Sequence, residues 1–155
     1  MPISEGSPAP DFSLPSTDGD KISLTSLKGK KIVLYFYPKD DTPGCTVEAC
    51  NFRDSIQDFQ KHKAIVLGVS PDDLESHKKF QTKFKLPFVL LSDTNHTLAE
   101  KYGVWKEKSM YGKKYMGIER TTFVIDTMGK IHRIFAKVNV DQHQQEVLAA
   151  LATAT

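Results

Sequence analysis

The sequence predicts a mixed α/β sandwich, a partly parallel sheet flanked by helices and preceded by an N-terminal β-hairpin. Three observations carry this. Between residues 31 and 103, short apolar runs rich in β-branched and aromatic residues alternate with segments of helical period. Upstream, Asp18-Gly19 is a turn signal between two short strand-like segments. Downstream, Met128-Gly129 separates two more, followed by a closing amphipathic segment.

In chain order, residues 4–15 read as a proline-rich extended arm, with strands at 12–14 and 21–24. Residues 31–37 form a continuous apolar run, the pattern of a strand buried on both faces. Pro-Lys-Asp-Asp-Thr-Pro-Gly then makes a loop, and one helix is predicted from Cys45 to about Lys61, its apolar face marked by Ala49, Phe52, Ile56 and Phe59. A buried strand follows at 64–70. Ser70-Pro71-Asp72-Asp73 reads as a helix start with Ser70 as the cap, continuing through Leu74, His77, Phe80 and Phe84. A strand is expected at 88–91, and a short helix around Leu98, Ala99 and Tyr102 ends at Gly103. Strands at 121–126 and 131–135 form a hairpin, and residues 140–151 the closing helix.

The chain has 155 residues, 39% hydrophobic and 26% charged, which fits one globular domain spanning 1–155. A net charge of +2 gives no general drive toward nucleic acid or an anionic membrane. Lys106, Lys108, Lys113 and Lys114, interleaved with Tyr111 and Tyr115, are therefore expected to form a solvated basic loop. No apolar run approaches the ~20 residues of a membrane span, and no basic-then-apolar leader opens the sequence. The expectation is a cytoplasmic protein. Two cysteines do not make a disulfide scaffold, and in a reducing compartment such residues are more often catalytic, redox-active or metal-binding.

Cys45 is the strongest candidate for chemistry. On a helical wheel of about 100° per residue it lies within about 40° of the apolar stripe, in the first helical turn. Its thiol faces a cleft floored by protein, beside free backbone N–H groups and the positive end of the helix dipole, which favours thiolate over thiol. Thr42 can offer a hydroxyl, and Arg120, just before a predicted strand, can supply a cation at the carboxyl edge of the sheet. The plainer alternative is a small buried core cysteine. Cys50 falls about 140° around the wheel, with its Cα about 8–9 Å from that of Cys45. A disulfide needs less than about 7 Å, so the two cysteines bridge only if the helix unwinds locally. Cys50 can equally be a bystander thiol.

Other chemistries lack their signatures. Cys-x4-Cys supplies two zinc ligands at most, and His62, His77, His96, His132 and His143 are scattered. There is no Cys-x-x-Cys, no Gly-x-Gly-x-x-Gly and no Gly-x4-Gly-Lys, so neither metal nor bound cofactor is indicated.

Pro38-x3-Thr42-x2-Cys45, the preceding Val-Leu-Tyr-Phe-Tyr, the following Glu48-Ala49-Cys50-Asn51-Phe52-Arg53-Asp54, and Arg120-Thr121-Thr122-Phe123-Val124-Ile125-Asp126 together resemble the peroxiredoxins. The five-residue cysteine separation is similar to their bacterioferritin comigratory protein, or Q-type, subgroup. The resemblance runs from about Ala9 to Leu151. It implies a thioredoxin-like fold and reduction of hydrogen peroxide and organic hydroperoxides. Cys45 would be the peroxidatic cysteine and Cys50 the resolving one, with an intramolecular disulfide returned to thiols by thioredoxin or a similar dithiol protein. Pro38 would shape the pocket, while Thr42 and Arg120 would orient the peroxide. A resolving thiol in the same helix makes a monomer the expectation. Two rivals stay open: a single-cysteine peroxidase with an inert Cys50, and an oxidation-sensing or holdase protein whose unwound helix recruits a partner.

Overall fold

The computed structural model describes residues 3–155; Met1 and Pro2, which open the segment searched for a leader, lie outside it. An N-terminal hairpin pairs β1 (Ser13–Pro15) with β2 (Lys21–Ser23), and Gly19 turns between them at φ 94°. The central sheet holds β3 (Lys31–Phe36), β4 (Ala64–Ser70), β5 (Val89–Ser92), β8 (Thr121–Ile125) and β9 (Ile131–Phe135). Their order is β5-β4-β3-β8-β9, parallel from β5 to β3 and antiparallel from β3 to β9. The mixed sheet and the N-terminal hairpin are those the sequence predicts.

Alternation along β3 shows why its sequence is apolar throughout. Val33, Tyr35 and Tyr37 join one core with Ala49, Phe52, Phe59, Phe80, Val147 and Leu151. These come from α1 (Pro43–Asp54), α2 (Ile56–Lys61), α3 (Leu74–Phe84) and α5 (His143–Thr153). Ile32, Leu34 and Phe36 point the other way, into a second core with Phe12, Leu98, Ala99 and Tyr102 from the N-terminal arm and α4 (Thr97–Lys101) with its cap. A strand covered on both sides has no solvent face to carry polar residues.

Four expectations are corrected. The helix predicted from Cys45 to Lys61 is two helices broken at Ser55, whose φ and ψ of −107° and 11° leave the helical path. The Ser55 N–H closes on Phe52 O at 3.2 Å, and its carbonyl accepts from Asp58 and Phe59, so one residue ends α1 and starts α2. Ser70 ends β4 and does not cap α3; its hydroxyl donates to Asp72 Oδ2 at 2.6 Å, and Asp73 caps by accepting the Ser76 N–H at 2.8 Å. The closing helix starts at His143, because Gln142 is left-handed at φ 57°. Finally, the lysine-rich segment predicted as a loop is a two-stranded ribbon, β6 (Trp105–Met110) with β7 (Lys113–Ile118). Its turn places Tyr111 and Gly112 both at positive φ, as a two-residue hairpin turn requires. Most of the ribbon is exposed, so no buried face imprints an apolar alternation on it.

Gly68 in β4 is required by packing. A Cβ there would lie 2.8 Å from Leu90 Cδ2 and 2.9 Å from the Tyr35 ring and hydroxyl. Both neighbours are fully buried on flanking strands. Gly68→Ala is expected to cost about 1–3 kcal/mol as an overpacked core, read as a lower urea midpoint. An unchanged midpoint would show that Tyr35 has room to move.

Candidate active site

The site is assembled by strand register. Phe36, the last residue of β3, pairs with Thr121, the first of β8, because the two strands are antiparallel. The loop after β3 and the residue before β8 therefore meet at the carboxyl edge of the parallel strands, where open α/β sheets place their sites. Cys45 arrives on that loop and Arg120 from the other side.

Thr42 is the N-terminal cap residue of α1, Pro43 the first helical residue and Cys45 the third. The Thr46 N–H makes the first helical bond, to Thr42 O at 2.8 Å. That leaves the N–H groups of Gly44 and Cys45 ahead of the helical ladder, available to a ligand at the sulfur. The Thr42 hydroxyl donates to Lys39 O at 2.9 Å rather than capping the helix. Its oxygen lone pairs remain able to accept a hydrogen bond from a ligand at the sulfur. Pro38, half-buried, opens the loop directly after Tyr37.

Arg120 Nη2 donates to Cys45 Sγ at 3.3 Å, while Nη1 donates to Glu48 Oε1 at 2.6 Å. Cys45 is 1% exposed and borders the core with Tyr35, Ala49 and Phe52. Burial alone would fit a core cysteine, but a guanidinium on the sulfur does not. Gly44 keeps the approach open: a Cβ there would stand 3.2 Å from Arg120 Nη2. Cys50 lies half-buried farther along α1, and both cysteines are free thiols.

The structure thus brings Cys45 and Arg120 together as expected, places Thr42 at the cap, and leaves Cys50 outside the sulfur–guanidinium contact. It adds two residues. Glu48 orients Arg120 from a side chain 1% exposed. Burial pushes its carboxyl up to about 7 against the pull of Arg120. The signal was in the sequence: Glu48 falls about 60° from Cys45 on the wheel, and an acid that near an apolar stripe needs a buried partner. The second is Lys108 on β6, whose ammonium is pushed down by burial and by the charge of Arg120, with Cys45 and Glu119 pulling the other way. Lys108 is therefore within electrostatic reach of Arg120 and Cys45.

Glu48 predicts a pH dependence. Its carboxyl is held above the ordinary value of 4.5, so the favourable contribution of the protonated form is present below pH 4.5 and is lost as pH rises through about 7. Relative to Glu48→Gln, the wild type should lose on the order of 3 kcal/mol across that window. Urea unfolding of both proteins from about pH 5 to 8 measures it. A difference that does not grow with pH would mean that Glu48 stays charged throughout.

Among the described residues, Asp40, Asp72 and His77 bring metal-ligand atoms within 4.8 Å of one another. Those atoms are engaged by Tyr37, Ser76 and Ser70 and by each other, so the group is a hydrogen-bonded network.

A buried thiol at a helix N-terminus, with a guanidinium on its sulfur and a carboxylate behind, defines a thiol-dependent oxidoreductase site. Residues 6–134 match the AhpC/TSA family. The chain is 52% identical to the peroxiredoxin Bcp of Bacillus subtilis, over 97% of this chain and 96% of that one. It superposes on Xanthomonas campestris Peroxiredoxin Q with a TM-score of 0.88 at 42% identity, covering 93% and 92% of the two chains. A structure of the bacterioferritin comigratory protein from the same organism gives 0.87 at 41% identity, covering 91% and 90%. This chain belongs to the AhpC/TSA family of peroxiredoxins. It has their thioredoxin-like fold and is a thiol peroxidase.

Proposed function

We propose that the protein, as one domain spanning 1–155, reduces hydrogen peroxide and organic hydroperoxides at Cys45. Cys50 is the resolving thiol, and thioredoxin or a similar dithiol protein is the reductant. The carrying observation is the Arg120 Nη2–Cys45 Sγ contact of 3.3 Å at the start of α1. The Cys45 thiolate attacks one peroxide oxygen. The O–O bond breaks, sulfur keeps that oxygen as a sulfenic acid, and the other leaves as alcohol or water after taking a proton. Arg120 and the N–H groups of Gly44 and Cys45 stabilise the negative charge on the departing oxygen, with Thr42 holding the proximal one. Pro38 limits solvent at the mouth. Cys50 then displaces the sulfenic oxygen as water, forming the Cys45–Cys50 disulfide. An organic substrate is supported by the Xanthomonas campestris protein, whose structures concern alkyl peroxide reduction. Because both thiols lie in one helix, a monomer completes the cycle; free thiols suit the reducing cytoplasm.

One equivalent of hydrogen peroxide, followed by alkylation and intact mass, tests the proposal. The expected product has lost two hydrogens and both alkylatable thiols. Two thiols still open to alkylation would overturn it.

A further inference from the structure

Asp40 lies in the loop between β3 and α1, two residues before Thr42 and five before Cys45, and it is buried. Four residues from three parts of the chain hold it. The Tyr37 hydroxyl, just after β3, donates to Asp40 Oδ1 at 2.6 Å. The Ser76 hydroxyl of α3 donates to Oδ2 at 2.8 Å, and His77 Nδ1 lies 2.7 Å from the same oxygen. The Asp40 backbone N–H donates to Asp72 Oδ2 at 2.7 Å, and Asp72 is itself fixed by the Ser70 hydroxyl. His77 is fully buried, with Nε2 2.9 Å from Leu91 O. A carbonyl only accepts, so Nε2 carries a proton and donates it to this bond.

A buried network of this kind adds little net stability, but it selects one conformation sharply. It also lies outside the catalytic contact, since Arg120 bonds to Cys45 and to Glu48. We infer that Asp40 and His77 are positioning residues that pin the loop carrying Pro38 and Thr42 to α3 while the first turns of α1 unwind and re-form. The inference rests on the two-cysteine peroxidase reading. Bridging Cys45 to Cys50 requires α1 to open, because an intact helix holds their Cα atoms about 8–9 Å apart. Residues 41–44 between the pin and Cys45 supply the slack, including Pro43 and Gly44. With the pin in place, the intact helix is favoured and the sulfenic acid stays longer in the pocket. There it meets one of two fates. Cys50 displaces water from it to give the disulfide, or the sulfenate takes an oxygen from a second hydroperoxide, becoming a sulfinate and releasing alcohol or water.

The test is the partition between disulfide and sulfinate, read by mass after a graded excess of hydrogen peroxide, in wild type, Asp40→Asn, His77→Gln and Tyr37→Phe. Both products come from the same sulfenate, so a smaller folded fraction does not by itself move their ratio. Tyr37→Phe keeps the ring packing and removes one donor, which covers the case in which Asp40→Asn does not fold. The expected result is a several-fold lower sulfinate-to-disulfide ratio in the folded variants, with a lower rate of first oxidation by peroxide. A wild-type ratio in folded variants overturns the inference. If the wild type itself forms no disulfide, it is the two-cysteine reading that fails.

Discussion

Cys50→Ser is expected to stop thioredoxin-supported turnover after about one event per chain while leaving the first oxidation of Cys45 intact. The Cys45–Arg120 contact and the Arg120–Glu48 pair behind it do not involve Cys50. Without Cys50 no intramolecular thiol displaces the sulfenic oxygen, and the product of one peroxide equivalent is a Cys45 sulfenic acid captured by dimedone. The steady-state rate with thioredoxin should fall by about two orders of magnitude or more, as for loss of an essential nucleophile. A variant with wild-type steady-state turnover would favour the single-cysteine cycle. Cys45→Ser, by contrast, should abolish both phases, because a hydroxyl is not ionised at neutral pH and is a poor nucleophile toward peroxide.

Arg120→Met should reduce the second-order rate of Cys45 oxidation by about 100- to 1,000-fold, the range for losing one preorganised donor at a developing oxyanion. The substitution removes the Nη2 contact at 3.3 Å to Sγ and the Nη1 contact at 2.6 Å to Glu48. Two different partners on one planar fork also explain why Arg120→Lys should not restore the rate: a single ammonium cannot hold both in that geometry. Removing Arg120 leaves Glu48 buried without its cation, so the variant should lose stability progressively as pH rises. The double variant Arg120→Met/Glu48→Gln separates these effects. It should recover stability while oxidation stays slow, as measured by competition for peroxide with a thiol of known rate. If the double variant recovers both, Arg120 acts only through the packing of Glu48.

The expected effects differ in kind because the site is divided between local and long-range structure. Much of the local part is legible in the sequence. The Pro38–Cys45 loop, a following segment of helical period and Cys45 on its apolar face are consequences of residue type and spacing within a few turns. The double apolar character of residues 31–37 is equally local, since each side of β3 is lined by alternate residues. Helix boundaries were less legible. Ser55, Ser70 and Gln142 form turns through bonds to neighbours, and those compete with helical bonds of similar strength. The β6–β7 ribbon left little trace because so little of it is buried.

By itself the sequence determined the alternation of strands and helices, the delivery of Cys45 to a helix start, and the five-residue offset that separates the two thiols around α1. Only the tertiary structure decided that Arg120 reaches the sulfur, because that depends on the antiparallel pairing of Phe36 with Thr121 across 85 positions of sequence. It also decided that Glu48 lies behind Arg120, and that Asp40 is held by His77 from a helix more than thirty residues away. Local propensity acts over one turn of helix or a few residues of strand. A catalytic cation and a loop anchor are placed by sheet register and by the packing of elements distant in the chain, and no short segment encodes either.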